Sequence, residues 1–242
     1  MSKNKLAKFA ENETFDHLFQ PRPHTMLKDD FFLKGKWRKE YFKNNNPIVL
    51  EVGCGKGEYT TGLAQLFPSK NFIGIDYKGP RLWKGCKTTE EKNLTNVAFI
   101  RNKIEFINSF FAENEIDDIW ITFPDPQAKK DKKKLTSERF LNNFNTILKP
   151  GGKIRLKTDS KHLYEFTKKI IKLNAIELVF DSPDIYGENK VGEAHNIKTF
   201  YEKQFLTEAK EITLLKFKLE KDIDYKNPPK VPRKKQQPKY KK

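Results

Sequence analysis

The sequence predicts an α/β fold, a doubly wound parallel sheet with helices on both of its faces. Three observations predict it. From Pro47 onward short apolar runs alternate with amphipathic segments, and a glycine-rich loop follows the first of those runs. Composition supplies the third, because 36% hydrophobic residues, 20 of them Phe, suffice to bury one core in a chain of 242 residues.

Residues 1–46 are polar, with aromatic side chains clustered at Phe31, Phe32, Trp37, Tyr41 and Phe42. They read as a basic arm and one short helix packed on a domain that spans 47–220. Within that domain IVLEV is a strand, TTGLAQLF a helix, NFIGID a strand, GPRLWKGCKTTEEK a helix and VAFIR a strand. The segment IEFINSFF is helical, IDDIWITF is a buried strand, and a helix follows from Ser137 to Leu148. Lys149-Pro150-Gly151-Gly152 is a turn leading into the strand KIRLKTD. A helix from Lys161 to Leu173, the strand AIELVF, a helix near Thr199 to Glu208 and the strand EITLLKFKL complete the domain. Residues 221–242 are expected to be a disordered tail, since the stretch from Lys226 to Lys242 carries eight basic residues, four prolines and no acid.

The net charge of +16 favours a polyanionic partner, and removing the eight tail charges still leaves the body at +8. Two cysteines, Cys54 and Cys86, are too few for a disulfide framework or a four-thiolate metal site. His17, His24, His162 and His195 lack metal-ligand spacing, so no metal is expected. No apolar run approaches the roughly 18 residues that a membrane span needs. The amino terminus has no apolar signal core, which places the protein in the cytoplasm.

The loop Glu51-Val52-Gly53-Cys54-Gly55-Lys56-Gly57 follows a strand and opens a helix. Its G-x-G-x-G spacing departs from the dinucleotide G-x-G-x-x-G and resembles the first motif of class I methyltransferases. A pyrophosphate would disfavour a neighbouring carboxylate, whereas S-adenosyl-L-methionine carries a sulfonium and an ammonium that Glu51 can offset. Asp76, at the end of the next strand, can accept both ribose hydroxyls. Asn102, after VAFIR, either meets the adenine edge or caps the helix that follows.

The strand IDDIWITF is the fourth of the doubly wound order, so its tip adjoins the cofactor crevice and brings Asp125 to whatever is methylated. Pro124 and Pro126 restrict the backbone around that carboxylate. Beside it run Lys129, Lys130, Lys132, Lys133 and Lys134, which can neutralise RNA phosphates or can be a solvated loop. Asp159 ends the strand KIRLKTD and is either a helix cap or a substrate contact.

EVGCGKGEYT, FIGIDYKGPRLWKG, FPDP with basic residues after it, LKTD and Thr199-Phe200-Tyr201-Glu202 together resemble bacterial single-subunit tRNA (guanine-N7-)-methyltransferases, from Pro47 to Leu219. The resemblance implies a Rossmann-like class I methyltransferase fold with a seven-stranded, mostly parallel sheet whose last strand is antiparallel. It implies transfer of a methyl group from S-adenosyl-L-methionine to N7 of guanine 46 in the tRNA variable loop. By resemblance Glu51, Gly53, Gly55, Gly57, Asp76, Asn102 and Asp125 hold the cofactor, and Asp125 is also catalytic. Lys129, Asp159 and the run from Thr199 to Glu202, with Tyr201 in it, match substrate-binding positions. The family loop normally continues Trp-Pro after FPDP, where this chain has Gln127-Ala128. The partner implied is tRNA, and the chain is expected to act as a monomer or homodimer. Two alternatives stay open: a methyltransferase for another RNA site, and a non-catalytic RNA-binding module on the same scaffold.

Overall fold

The computed structural model describes residues 3–22, 25–190, 192 and 197–229. His24, His195 and the tail beyond Pro229 lie outside the described residues. Strand β1 is Leu18–Phe19, β2 Ile48–Val52, β3 Asn71–Asp76, β4 Val97–Arg101, β5 Ile116–Thr122, β6 Leu148–Thr158, β7 Glu177–Ser182 and β8 Thr213–Lys218. They form one sheet in the order β1-β4-β3-β2-β5-β6-β8-β7. β1 to β6 pair in parallel, and β8 runs antiparallel between β6 and β7. The order reverses direction between β2 and β5, so the carboxyl ends of those two strands flank the switch point.

The helices are α1 (Lys3–Asn12), α2 (Glu58–Leu66), α3 (Gly79–Glu91), α4 (Ile107–Phe110), α5 (Glu138–Ile147), α6 (Lys161–Leu173) and α7 (Phe200–Thr207). In α5 the buried Phe140, Leu141, Phe144 and Ile147 fall on one stripe at helical spacing. Ser160 starts α6 by accepting a hydrogen bond from the Leu163 amide at 3.2 Å. The cap is therefore Ser160, and Asp159 is released from that role.

β2 shows how the sheet divides the core. Its residues are all buried, and they alternate between faces. Ile48, Leu50 and Val52 join Trp37, Phe110 and Phe144 on one side. Val49 joins Tyr59, Leu63, Phe99 and Trp120 on the other. Glu51 shares the parity of Val49 and so emerges on the α2 side.

Four features differ from expectation. The sheet has eight strands, because Leu18–Phe19 adds an edge strand to β4, with the Phe99 amide donating to the His17 carbonyl at 2.7 Å. Two residues are too short to display a period of two, so nothing in the pattern announces that strand. The expected turn at Lys149–Gly152 lies inside β6 as an irregularity, where pairing jumps from Ile116↔Leu148 to Asp118↔Lys153.

The amino-terminal segment is also more than an arm. Trp37 is fully buried and donates its indole hydrogen to the Phe110 carbonyl at 3.0 Å. The Glu115 carboxylate accepts from the amides of Gly35, Trp37 and Ala112 at 2.8, 3.3 and 2.9 Å. At the other end, packing passes the expected boundary at 220: Tyr225 is buried, and Asn227 and Glu138 exchange two hydrogen bonds of 2.9 and 3.0 Å.

Candidate active site

Glu51 sits in the fourth position of β2, with its carboxylate turned toward the start of α2. One oxygen accepts from the Thr60 amide at 2.8 Å and from the Thr60 hydroxyl at 2.5 Å; the other accepts from the Thr122 hydroxyl of β5 at 2.5 Å. Burial pushes its pKa up to about 7, against the pull of those hydrogen bonds, and the nearby Asp76 charge pushes the same way. The site thus holds a carboxyl poised to ionise near neutrality.

The loop between β2 and α2 turns on glycines with positive φ. Gly57 (φ 68°) is the tightest: a Cβ there would lie 2.7 Å from the Phe99 ring. Gly55 (φ 57°) is the opposite case, with open space where a Cβ would point. Its amide donates to Asp76 Oδ2 at 3.0 Å, and Asp76 Oδ1 accepts from the Lys78 amide at 2.7 Å. Each carboxylate oxygen retains a lone pair for a further donor such as a sugar hydroxyl.

Asn102 is buried just beyond β4. Its side-chain amide donates to the Pro21 carbonyl at 3.0 Å, its side-chain oxygen accepts from the Lys103 amide at 2.8 Å, and its own amide reaches the Asp76 carbonyl at 3.2 Å. Through its side chain and its backbone amide together, Asn102 links the amino-terminal segment to the Asp76 turn.

Beside the glycine loop lies a hollow walled by Glu51, Gly55, Thr122, Phe123, Thr199 and Tyr201. Phe123 follows β5 in a left-handed backbone conformation (φ 44°), held by its amide donating to the Lys157 carbonyl at 2.8 Å. For a bulky residue that conformation costs about 1–3 kcal/mol, and here it bends the chain out of the sheet beside the hollow. Thr199 caps α7, its hydroxyl accepting from the Glu202 amide at 3.2 Å.

Glu202 is fully buried behind this wall. Its Oε1 meets Lys157 Nζ at 2.5 Å and accepts from the Tyr186 hydroxyl at 2.5 Å, while Oε2 has no hydrogen-bond partner among the described residues. Lys157, on β6, also donates to the Tyr59 hydroxyl at 3.0 Å, and burial lowers its pKa to about 8. Removing one partner of such a buried pair strands the other charge. Sequence reasoning missed Lys157, Tyr59 and Tyr186. The one available signal was a lysine in KIRLKTD at a position where a parallel strand is buried on both faces.

Asp125 neither lines the hollow nor enters the apolar interior. It is exposed, with Oδ1 accepting from the Gln127 amide at 3.0 Å. Two residues span at most about 7 Å, so Asp125 stays within reach of the wall residue Phe123. Lys129, Lys130, Lys132 and Lys133 are exposed and, among the described residues, have no carboxylate partner. Lys134 corrects the expectation of an unbroken basic run. It is 0% exposed, donates to the Gln127 carbonyl at 3.1 Å, pairs with Asp131 at 2.5 Å and lies 4.5 Å from the Phe166 ring centroid. Its ammonium braces the loop from inside, so it cannot join the other lysines at an RNA surface in this conformation.

Asp159 lies 3.7 Å from Lys210 and faces a second hollow, walled also by Tyr164, Lys168 and Asp181. The residues gathered at one place are therefore Glu51, Gly53, Gly55, Asp76, Thr199 and Tyr201. Gly57, Asn102 and Glu202 support them from behind, and Asp125 and Asp159 stand to the side. Among the described residues no cluster of three or more His, Cys, Asp or Glu side chains could hold a metal, and no helix is long and apolar enough to cross a membrane.

A family model described as "Putative methyltransferase" matches residues 45–215. The chain is 49% identical over 221 residues to the tRNA (guanine-N(7)-)-methyltransferase of Christiangramia forsetii, covering 90% of this chain and 99% of that protein. It is 45% identical over 228 residues to the protein of the same name from Bacteroides fragilis, covering 94% and 90%. Among solved structures, the 16S rRNA methyltransferase KamB superposes with a TM-score of 0.57 at 13% identity, covering 76% of this chain and 91% of that one. An antibiotic-related methyltransferase gives 0.57 at 16% identity, covering 78% and 95%. At such identities the likeness is one of fold.

Proposed function

Because this chain belongs to the tRNA (guanine-N(7)-)-methyltransferase family, we propose that it methylates N7 of a guanine in tRNA, with S-adenosyl-L-methionine as donor and guanine 46 of the variable loop as target. The observation that supports this reading is a pair of carboxylates and an open glycine loop beside a hollow walled by Phe123, two residues before the exposed Asp125 and close in sequence to four lysines that have no carboxylate partner among the described residues.

The residues present fit the donor. Glu51 supplies a carboxylate beside the glycine loop, where a dinucleotide site would present amides to phosphate, Asp76 can take a ribose, and the open side of Gly55 lets a ligand approach the backbone. Glu51 would face the cationic end and Asp76 the ribose. When bound, S-adenosyl-L-methionine supplies an electrophilic methyl group on a sulfonium.

Guanine N7 is an acceptor with a free lone pair and no proton to lose. No general base is needed, and the work left to the protein is orientation and charge stabilisation. Methylation leaves positive charge on the purine. A carboxylate at Asp125 would favour that charge as it develops, and a carboxylate can also accept from the guanine N1 and N2 hydrogens. Glu202, fully buried and fixed by Lys157 and Tyr186, would act on the substrate through the wall residues in front of it. Lys129, Lys130, Lys132 and Lys133 would hold phosphates near the β5 tip, and Asp159 would contact the substrate from the second hollow.

The test is direct. Purified protein with labelled donor and unmodified tRNA is expected to yield 7-methylguanosine at one position, and Asp125→Ala is expected to lower kcat by about 100-fold or more. Methylation elsewhere in the RNA, or an Asp125→Ala variant as fast as wild type, would overturn the assignment.

A further inference from the structure

Glu58, Tyr59 and Thr60 open α2, and each side chain reaches a different part of the site. Glu58 Oε1 accepts from the Phe200 amide at 3.0 Å, at the start of α7. Thr60 donates to the Glu51 carboxylate through its amide and its hydroxyl. Between those two ties the Tyr59 hydroxyl accepts from Lys157 Nζ at 3.0 Å, and the same ammonium meets Glu202 of α7 at 2.5 Å. Lys157 also stands opposite Thr122 in the β5–β6 pairing, and the Thr122 hydroxyl donates to the other oxygen of Glu51.

Lys157, Glu202 and Tyr59 are all fully buried. A charge pair taken out of water is often no more stabilising than apolar side chains of the same volume, so stability alone does not account for a lysine at this place. What a buried ammonium does impose is direction, because its donors hold their acceptors at fixed distances and angles. Among the described residues, the titratable groups that act on it are Glu202 from α7, Tyr59 from α2, Tyr186 from the segment after β7, and Lys198 just ahead of α7.

We propose that Lys157 is a positioning residue: its ammonium, shared by Tyr59 of α2 and Glu202 of α7, sets the wall formed by Thr199 and Tyr201 at a fixed distance from the donor-facing Glu51. The proposal rests on the reading of the chain as an RNA methyltransferase. Methyl transfer needs donor and acceptor in near-contact alignment, and a displacement of about 1 Å can cost about 100-fold in rate. The effect of Lys157 therefore falls on the transfer step, while phosphate contacts elsewhere carry the affinity for RNA.

The experiment follows transfer of a labelled methyl group to unmodified tRNA in single turnovers, with donor and full-length enzyme saturating, from about pH 6 to about pH 10. Donor and tRNA affinities are measured separately. Burial lowers the Lys157 pKa to about 8, so the ammonium that holds Glu202 is lost as pH rises through that value, and the wild-type rate is expected to fall there. Tyr59→Phe keeps the ring against Trp120, 5.2 Å between centroids, and removes the hydroxyl that accepts from the ammonium. It is expected to move the alkaline limb to lower pH by about half to one unit. Lys157→Met is expected to transfer about 10- to 100-fold more slowly at neutral pH, to lack the limb, and to keep both affinities within about threefold of wild type.

A wild-type rate that stays level through the Lys157 titration overturns the proposal, as does a limb at the same pH in Tyr59→Phe. A Lys157→Met variant whose loss of rate is matched by its loss of tRNA affinity also overturns it, and leaves Lys157 a support for the fold. Should Lys157→Met fail to fold, the position of the limb in Tyr59→Phe decides. Transfer to an atom other than guanine N7, with the same limb and the same shift, would retire the proposed reaction and keep the role of Lys157.

Discussion

With Glu51 facing the cationic end of the proposed donor, donor binding is expected to be coupled to protons. The Glu51 carboxyl titrates near 7 in the folded chain, against an ordinary value of 4.5. A group raised in this way contributes stability that is fully present below pH 4.5 and is lost as pH rises through about 7. A cationic ligand favours the ionised form, so below the folded pKa each binding event must release a proton. Affinity for S-adenosyl-L-methionine is therefore expected to rise with pH, by up to about tenfold per unit below 7, and to level off above it. Calorimetry in buffers of different ionisation enthalpy would count the proton. Glu51→Gln is expected to bind more weakly with a flat profile, and a flat wild-type profile would remove Glu51 from contact with the donor's charge.

At the scale of an element, the loop after β5 divides its lysines by orientation. Four face solvent without carboxylate partners among the described residues, and Lys134 turns inward to hold the Gln127 carbonyl and Asp131. Changing Lys129, Lys130, Lys132 or Lys133 to Ala is expected to lower the slope of log affinity for tRNA against log salt by about 0.7–0.9 for each phosphate no longer neutralised. Lys134→Met is expected to leave that slope unchanged and to lower the urea midpoint, by an amount equivalent to about 1–3 kcal/mol for the stranded polar groups. A Lys134→Met variant with a shallower salt slope and wild-type stability would reverse the assignment.

Across the whole molecule, both ends of the described chain are built into the domain. The amino-terminal segment supplies an edge strand, the buried Trp37 and the Pro21 carbonyl that holds Asn102. The carboxyl-terminal stretch stays attached as far as Asn227. Residues 230–242 carry seven basic side chains and no acid. Deleting them is expected to reduce tRNA affinity and its salt slope while leaving the thermal midpoint in place. Deletion from residue 221 is expected to lower that midpoint as well, because it removes the buried Tyr225. Unchanged tRNA binding by the shorter truncation would retire a role for the tail.

What the sequence by itself determined is local. The strand and helix alternation follows from side-chain periodicity, the turn at Gly53–Gly57 from residues that tolerate positive φ, and the carboxylates Glu51 and Asp76 from their places at strand ends. The family was legible for the same reason, since its motifs are short runs. Only the tertiary structure decided that Glu202 pairs with Lys157, that Lys134 points inward while its neighbours do not, that Asp159 opens on a second hollow, and that Leu18–Phe19 joins the sheet. Each of those depends on which distant segments exclude water from a given side chain, and burial by distant segments leaves no period or spacing in the chain that experiences it.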